Sequence, residues 1–374
     1  MKADIVHVSG FDSYDTHDSG NYIVFNFLRS LKFDSKMALV LNKTKKDEDT
    51  YFVRKSEFTN FFKDIKIFVL HDETFDFHEI KKIHSKFKCQ IILYTQTHCV
   101  NRTKFCKGEI SYPELNDEKT KKHNMPHLIE KKNVFKDLPI MVVCASTYTF
   151  NQVKENIIYE NKNVLLFPLP GDVPYCKSPK EKVKKYLGLK NNKKYILWGT
   201  TNPKSVRKGK HLFDETLDYF WNILSGDQRE EINILNVGPH AGKFGISSNF
   251  NTIHCGYQTT RKDMSVYYKA SDISVCTTIA DGGPMMISES MCNETPVIAF
   301  DRSISCDLCV DGETGYLVKD LNTEEMSKSI YKSLYIDDLT EMSKKSRKKY
   351  LTYHDKDVIL SKWNNLFTQL MEKE

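Results

Sequence analysis

Two carboxylates, Asp281 and Glu289, bracket a Gly-Gly-Pro turn and the start of a short helical pattern. Pro284 fits the first position of that helix, because the backbone N–H that proline lacks would have no partner there. Glu289 then falls in the second turn of the helix. We therefore expect one acidic side chain from the loop and one from the helix to face the same ligand.

The residues that open this helix suit a phosphate group. Met285 and Met286 follow Gly283 and Pro284 and direct free backbone N–H groups back at the loop. A helix start of this kind carries roughly half a positive charge and binds phosphate. Glu289 lies far enough along the helix to reach a sugar hydroxyl beyond that phosphate. The segment therefore predicts a nucleotide-diphosphate site with two acidic side chains.

A basic cluster follows the apolar stretch at 195–198. The stretch ends in Gly199 and Thr200, and Arg207 and Lys208 come shortly afterwards. Glycine lets the backbone approach a ligand, and lysine supplies a point charge for phosphate. Such a charge-assisted contact contributes about 1.5–3 kcal/mol. The alternative is that Arg207 and Lys208 are solvated charges on a surface loop.

Short apolar strands alternate with amphipathic helices along the chain, and this pattern must position both clusters. It implies parallel sheets covered on both faces, and its two sets imply two doubly wound α/β domains. Pro168 and Pro170 interrupt regular structure between them, so we expect domains at 1–167 and 168–354. The predicted strands are Ile5–Val8, Met37–Leu41, Ile65–Val69, Gln90–Tyr94, Ile140–Val143, Tyr195–Trp198, Ile232–Val237, Thr252–Cys255, Ile273–Thr277 and Pro296–Phe300.

The length and net charge of the chain limit the kinds of partner that it is expected to bind. A chain of 374 residues is long enough for two domains with ample cores. The net charge of +6, from 55 basic and 49 acidic residues, is too small to indicate nucleic acid as a partner. Dense lysines, as at Lys121 and Lys122, predict a solvated basic surface. The alternative is a face that contacts an anionic membrane or an anionic acceptor.

The sequence carries no sign of a membrane span or a secretory leader. No apolar run approaches twenty residues, and the N-terminus has no signal-peptide core. We therefore expect a cytoplasmic protein, with peripheral contact at the inner membrane face as the alternative. Its cysteines are then reduced thiols. Cys306 with Cys309, or Cys99 and Cys106 near His98, are alternatives for a metal or redox site, but we expect no metal.

The stretch from Asp281 to Asp301 resembles the nucleotide-sugar motif of retaining GT-B glycosyltransferases, in particular glycosyltransferase family 4. That motif has two acidic residues separated by seven others, then a helix and a Gly-Thr-Pro-Val-Ile-Ala strand. Here Asp281 replaces the usual first Glu, Glu289 matches the second, and Glu294 replaces the usual Gly.

The segment around Lys208 resembles the family element that holds the donor diphosphate. Lys208 matches the family lysine, Thr200 stands where the family often has Arg, and Arg207 can supply the second positive charge instead. Two further segments resemble elements that support the fold. These are the helix-to-strand stretch from Tyr267 to Asp272 and the hairpin from Asp311 to Val318.

The resemblance implies a GT-B fold, in which two doubly wound, Rossmann-like domains face a central cleft. The first domain would bind the acceptor, and a last helix, at about 355–374, would cross back onto it. In the first domain, the polar loop that contains Gly20 resembles the family's Gly-Gly loop. His98 resembles the family histidine at a strand end beside the acceptor; the alternative is a structural or surface histidine.

The implied activity is transfer of a hexose-type sugar, with retention, from a nucleotide diphosphate donor to a glycan or lipid-linked acceptor hydroxyl. UDP or GDP is the expected nucleotide, with no further cofactor, and cell-surface polysaccharide synthesis is the expected process. The resemblance assigns the diphosphate to Lys208 and Arg207, the ribose to Glu289 and the donor sugar to Asp281. Alternatives are an epimerase or phosphorylase of the same fold, or a catalytically degenerate nucleotide or sugar binder. The sequence leaves the oligomeric state open.

Overall fold

The described residues of the computed structural model form two units. They are 2–9, 28, 31, 33–40, 46–47, 50–71, 75–95, 118–168, 173–238, 249–281 and 283–372. Unit 1 comprises Met1–Pro170 and Lys356–Glu374, and unit 2 comprises Gly171–Asp355. Among the described residues, no helix combines the length and apolar character that crossing a bilayer requires.

Unit 1 is built on one sheet of mostly parallel strands. Its strands are β1 (Lys2–Ser9), β2 (Ser35–Val40), β3 (Lys46–Asp47), β4 (Thr50–Val53), β5 (Asp64–Leu70), β6 (Gln90–Thr95), β7 (Ile140–Cys144) and β8 (Asn163–Leu166). They lie in the order β3-β4-β2-β1-β5-β6-β7-β8, and only β3 runs antiparallel to its neighbour. Every residue of β7 is buried, as a parallel strand covered on both faces requires.

Four of the described helices of unit 1 come before unit 2 in the sequence, and each contributes apolar side chains to the core of unit 1. They are α1 (Phe58–Phe61), α2 (Phe77–Phe87), α3 (Glu118–Lys136) and α4 (Thr147–Glu155). In α2, Phe77, Ile80 and Ile83 are buried at helical spacing. Asp76 caps its start by accepting hydrogen bonds from two backbone N–H groups of the first turn.

Unit 2 has a sheet of six strands that all run parallel to their neighbours. The strands are β9 (Lys194–Gly199), β10 (Ile232–Val237), β11 (Asn251–Gly256), β12 (Ile273–Cys276), β13 (Val297–Phe300) and β14 (Gly315–Val318). Their order is β11-β10-β9-β12-β13-β14. Counted from β9, this is the 3-2-1-4-5-6 order of the Rossmann fold. The order reverses between β9 and β12, where open α/β sheets bind ligands at their carboxyl ends.

Eight described helices surround this second sheet. They are α5 (Lys180–Tyr186), α6 (Lys210–Ile223), α7 (Gly226–Glu231), α8 (Arg261–Ala270), α9 (Met285–Cys292), α10 (Ser305–Leu308), α11 (Thr323–Tyr335) and α12 (Leu339–Tyr353). In α6, Phe213, Leu217 and Phe220 are buried at helical spacing. Phe213 stacks on Trp198 of β9 with ring centroids 5.1 Å apart, which fixes the helix onto the sheet.

The last helix, α13 (Lys356–Met371), contacts residues of unit 1. Trp363 and Phe367 are fully buried. The Trp363 ring lies 5.2 Å from the ring of Tyr94 on β6 and 5.1 Å from that of Phe167. Burial of two such large side chains holds α13 to the first part of the chain.

The structure confirms the predicted α/β class with two doubly wound units, and each predicted strand is present. Four short strands were not predicted: β3, β4, β8 and β14. The hairpin predicted from Asp311 to Val318 is wrong. Residues 315–318 instead form β14, which runs parallel to β13. In this parallel register Gly315 pairs with Val297 and Val318 pairs with Phe300.

Candidate functional site

The loops that follow β9 and β12 bring Lys208 and Asp281 together, 73 residues apart in sequence. After β9 the chain forms a single 3-10 turn, Val206–Lys208, and then enters α6. After β12 it runs through Asp281 toward α9. Both loops therefore lie at the carboxyl ends of the two strands that flank the reversal of strand order.

Gly209 is the residue that allows these loops to meet. Its φ of +68° is in the left-handed region, and a Cβ at this position would overlap the carbonyl oxygen of Thr277. No other residue type fits this approach without moving the backbone. The backbone N–H of Ile279 also donates to the carbonyl of Arg207 at 2.8 Å. These contacts hold Arg207 and Lys208 against the end of β12.

Asp281 forms ion pairs with both cations through one oxygen. Its Oδ2 lies 2.6 Å from Nζ of Lys208 and 3.1 Å from Nη1 of Arg207. The exposed side-chain fractions are 14% for Asp281, 17% for Lys208 and 29% for Arg207. Burial alone would raise the pKa of Asp281, but the charges of Lys208 and Arg207 lower it to about 2. Asp281 is therefore a charged carboxylate at neutral pH.

Glu289 lies on α9 and has different partners. The hydroxyl of Tyr268 donates to its Oε2 at 3.0 Å, and Nε of Arg261 lies 3.7 Å from Oε1. Burial, and then the Glu289 carboxylate, raise the pKa of Tyr268 well above its ordinary value, so the hydroxyl stays a donor. Thr295 fixes the α8 backbone at this point by donating from Oγ1 to the carbonyl of Tyr268 at 2.6 Å. The sequence had indicated only a structural role for this part of α8.

The start of α9 differs by one residue from the prediction. Pro284 is the N-cap residue in an extended conformation, not the first helical residue, and the helix begins at Met285. The first helical N–H groups, those of Met285 and Met286, have no acceptor within the helix and remain suited to phosphate. The Met286 side chain packs against the core of unit 2. The N–H of Gly283 donates to Asp281 Oδ1 at 3.4 Å.

Gly199 ends β9 and Thr200 follows it, and both residues contact the neighbouring strand β10. A Cβ at Gly199 would overlap the carbonyl oxygen of Val237 on the neighbouring strand. The N–H of Thr200 donates to the same carbonyl at 3.2 Å, and its Oγ1 accepts from Asn202. Close approach of β9 and β10 thus explains the glycine without a ligand.

Several residues that the sequence analysis singled out lie outside the part of the chain that the structure describes. Gly20 and His98 lie outside the described residues, as do Cys99 and Cys106. Within the described part of the chain, no three His, Cys, Asp or Glu side chains are arranged as a metal site. Arg261 and Tyr268 are the two site residues that sequence reasoning missed. The only advance signal for Tyr268 was its place in the α8 stretch that resembles the family.

The arrangement can bind an anion and a hydroxyl-rich group side by side. Two cations and a helix start supply positive charge at one point of the sheet edge. Two carboxylates, Asp281 in the loop after β12 and Glu289 on α9, can accept hydrogen bonds from hydroxyl groups. This combination suits a sugar joined to a phosphate.

Comparison with known proteins finds sequence similarity to glycosyltransferases in the second half of the chain. Residues 241–350 match the family model described as Glycosyl transferases group 1. The poly(ribitol-phosphate) alpha-N-acetylglucosaminyltransferase of Staphylococcus aureus is 31% identical over 114 residues, 30% of this chain. The match spans only 22% of that relative's own length.

Solved structures extend the likeness to both units. A sucrose-phosphate synthase from Thermosynechococcus elongatus superposes with a TM-score of 0.71, at 13% identity, over 100% of both chains. Anabaena HepE in complex with UDP-glucose gives a TM-score of 0.67 at 11% identity, again over 100% of both chains. At these identities the likeness establishes the fold, and it is the GT-B fold that the sequence predicted.

Proposed function

We propose that this protein is a retaining glycosyltransferase that moves a hexose-type sugar from a nucleotide diphosphate to a hydroxyl of a glycan or lipid-linked acceptor. The observation that carries the proposal is the cluster of Lys208, Arg207 and Asp281 at the strand-order reversal of unit 2. The family match over residues 241–350 and the glycosyltransferase relative support it.

The two cations would hold the diphosphate and stabilise it as it leaves. Negative charge develops on the phosphate oxygens as the bond to the sugar breaks, and fixed positive charges nearby lower the barrier. Lys208 and Arg207 are already held in place, and the start of α9 adds its dipole. With this charge supplied by the chain, we propose that transfer needs no metal.

The two carboxylates would bind the remaining parts of the donor. Glu289, oriented by Tyr268 and Arg261, would accept from the ribose hydroxyls. Asp281 would accept from a hydroxyl of the donor sugar. The acceptor oxygen would bond to the anomeric carbon on the face that the phosphate leaves, and its proton would pass to a phosphate oxygen. This order of events retains the configuration and requires no protein nucleophile.

The relative and the structural neighbour support one choice of nucleotide and one class of acceptor. HepE was solved with UDP-glucose, which favours UDP as the nucleotide here. The Staphylococcus aureus relative is named for transfer to poly(ribitol-phosphate), which favours a hydroxyl-rich polymer as the acceptor class. Both assignments are open to a direct binding screen.

The first test is a thermal-shift panel with UDP, GDP, ADP, CMP and dTDP. Each nucleotide is measured once with added magnesium and once with EDTA to remove metal ions. A ligand present at 100 times its Kd stabilises the fold by about 2.7 kcal/mol, which is measurable as a shift in Tm. We expect a shift with UDP or GDP that EDTA does not abolish. Failure of every nucleotide to shift the Tm would reject the proposal.

Lys208→Ala tests the assignment of the diphosphate. Loss of a charge-assisted contact of about 1.5–3 kcal/mol should lower the transfer rate at saturating acceptor at least tenfold. The matched control is Lys182→Ala, which removes an exposed lysine from α5 of the same unit. Transfer within twofold of wild type in Lys208→Ala would exclude Lys208 from the site. Product stereochemistry, read from the anomeric proton by NMR, tests retention.

A further inference from the structure

The cations assigned to the diphosphate are both engaged by Asp281 in this structure. One carboxylate oxygen lies within 3.1 Å of Nη1 of Arg207 and 2.6 Å of Nζ of Lys208. The other oxygen accepts from the N–H of Gly283 at 3.4 Å. The local charge that an incoming anion meets is therefore one positive charge, because Asp281 neutralises the second.

A phosphate cannot join this cluster without disturbing it. A phosphate oxygen at hydrogen-bond distance from both cations would lie within a few ångströms of the Asp281 carboxylate. Two like charges this close together repel each other, and the repulsion grows as the surroundings become less polar than water. The cluster is mostly shielded from water, since only 14% of the Asp281 side chain is exposed, so solvent screens this repulsion poorly.

We infer that the donor diphosphate displaces Asp281 from Lys208 and Arg207, and that the released carboxylate then takes a hydroxyl of the donor sugar. The inference rests on the proposed function and adds an exchange step to it. Asp281 thus has two successive partners, the cations before the donor binds and the sugar afterwards. After transfer the sugar is gone, and return of Asp281 to the cations helps to expel the nucleotide diphosphate.

The short side chain of Asp281 fits this exchange. Its carboxylate reaches back to the Val206–Lys208 turn, and that turn is held against the end of β12 by the glycine at position 209. The partners of the Arg207 guanidinium also lie on this connection, since Nη1 contacts the carbonyl of Ala280 at 3.4 Å as well as Asp281. Arg207 therefore keeps its contact to the carbonyl of Ala280 when the Asp281 carboxylate leaves.

The test compares binding of pyrophosphate and of UDP, by calorimetry, between wild type and Asp281→Asn. Asparagine keeps the shape but removes the competing charge, so both anions should bind about tenfold tighter or better. The affinity for the UDP-sugar should increase less than the affinity for UDP, because the variant loses the contact between the Asp281 carboxylate and the sugar. The matched control is Asp214→Asn, which removes a carboxylate that pairs with nearby Lys210. It should leave both affinities unchanged.

The outcomes separate the two proposals. Folded Asp281→Asn that binds pyrophosphate and UDP no tighter than wild type would overturn the exchange while the proposed function stands. No binding of either anion to wild type or variant would overturn both. Two unpaired cations can also unfold the variant. In that case, infrared spectra of wild type with 13C-labelled aspartate carboxyls test the exchange. Saturating pyrophosphate should shift one carboxylate band. An unchanged spectrum would refute the exchange.

Discussion

The carboxylate of Glu289 is oriented by partners on another helix. The Tyr268 hydroxyl and the Arg261 guanidinium approach different oxygens of the carboxylate from α8. Only 12% of the Glu289 side chain is exposed, so its rotamer is fixed largely by these contacts and by packing. A carboxylate held in one rotamer binds a hydroxyl pair without first losing side-chain entropy. Tyr268 is therefore a positioning residue for the proposed ribose contact.

Replacing Tyr268 by Phe tests this role. The change removes one hydrogen bond to a charged group, and we expect the Kd for the nucleotide to rise several-fold. Calorimetric titration with UDP or GDP measures it. Tyr267→Phe, one residue earlier in α8, is the matched control and should bind as wild type does. Equal affinities in the two variants would show that Tyr268 does not act through Glu289.

Shortly after α9 ends, one residue has a backbone conformation that glycine would adopt more easily. Glu294 has a φ of +60°. Its carboxylate accepts from the hydroxyl of Tyr175 at 2.9 Å and pairs with Lys269 of α8. Arg347 of α12 lies 3.5 Å from the centre of the Tyr175 ring. The contacts of the side chain offset the backbone cost, which explains how this chain accommodates glutamate in a conformation that favours glycine.

Two substitutions separate the cost of the left-handed backbone at Glu294 from the stabilisation that its side-chain contacts provide. Glu294→Ala keeps the left-handed strain and loses both contacts, so we expect a loss of about 1–3 kcal/mol in stability. Glu294→Gly loses the same contacts but relieves the strain, and should be about 1 kcal/mol more stable than the alanine variant. Urea unfolding of both variants and wild type gives these differences. An alanine variant as stable as the glycine variant would rule out strain at this position.

At the scale of the whole molecule, both units contain fully buried histidines. In unit 1, Nδ1 of His7 lies 3.0 Å from Nε2 of His71, and both rings are covered. In unit 2, His354 follows α12 and is fully buried. Burial lowers the pKa of His71 and of His354 to about 3, and burial together with His71 lowers the pKa of His7. All three are neutral in the folded chain at neutral pH.

These histidines make the fold sensitive to mild acid. Their folded pKa values lie below the unfolded value of about 6.5, so the unfolded chain binds more protons as pH falls. Stability should therefore be complete above about pH 7 and decline below it, by up to about 1.4 kcal/mol per pH unit for each histidine. Urea unfolding at pH values from about 7 to 5 measures the slope. His71→Gln should reduce the slope, whereas His211→Gln, at an exposed position of α6, should not.

Local patterns carried the sequence-based predictions that the structure confirms. Strands such as β10 could be predicted because an apolar run with turn residues at each end is a signal within one segment. The ion pair between Lys208 and Asp281 could not, because it depends on how β9 and β12 lie side by side. The contact of Tyr268 with Glu289 was missed for the same reason. The sequence showed that Glu294 replaces the usual glycine of the motif. It did not show the backbone conformation of Glu294 or the two partners of its side chain.

The division of the chain has a consequence for its synthesis. Residues of unit 2 form one continuous stretch, whereas unit 1 is completed by α13, which lies beyond unit 2 in the sequence. A ribosome therefore delivers all of unit 2 before it delivers Trp363 and Phe367, which fill the core of unit 1. Unit 1 must keep part of its apolar surface uncovered while nearly two hundred intervening residues are translated. A nascent chain of this kind is a natural client for chaperones that bind exposed apolar segments during translation.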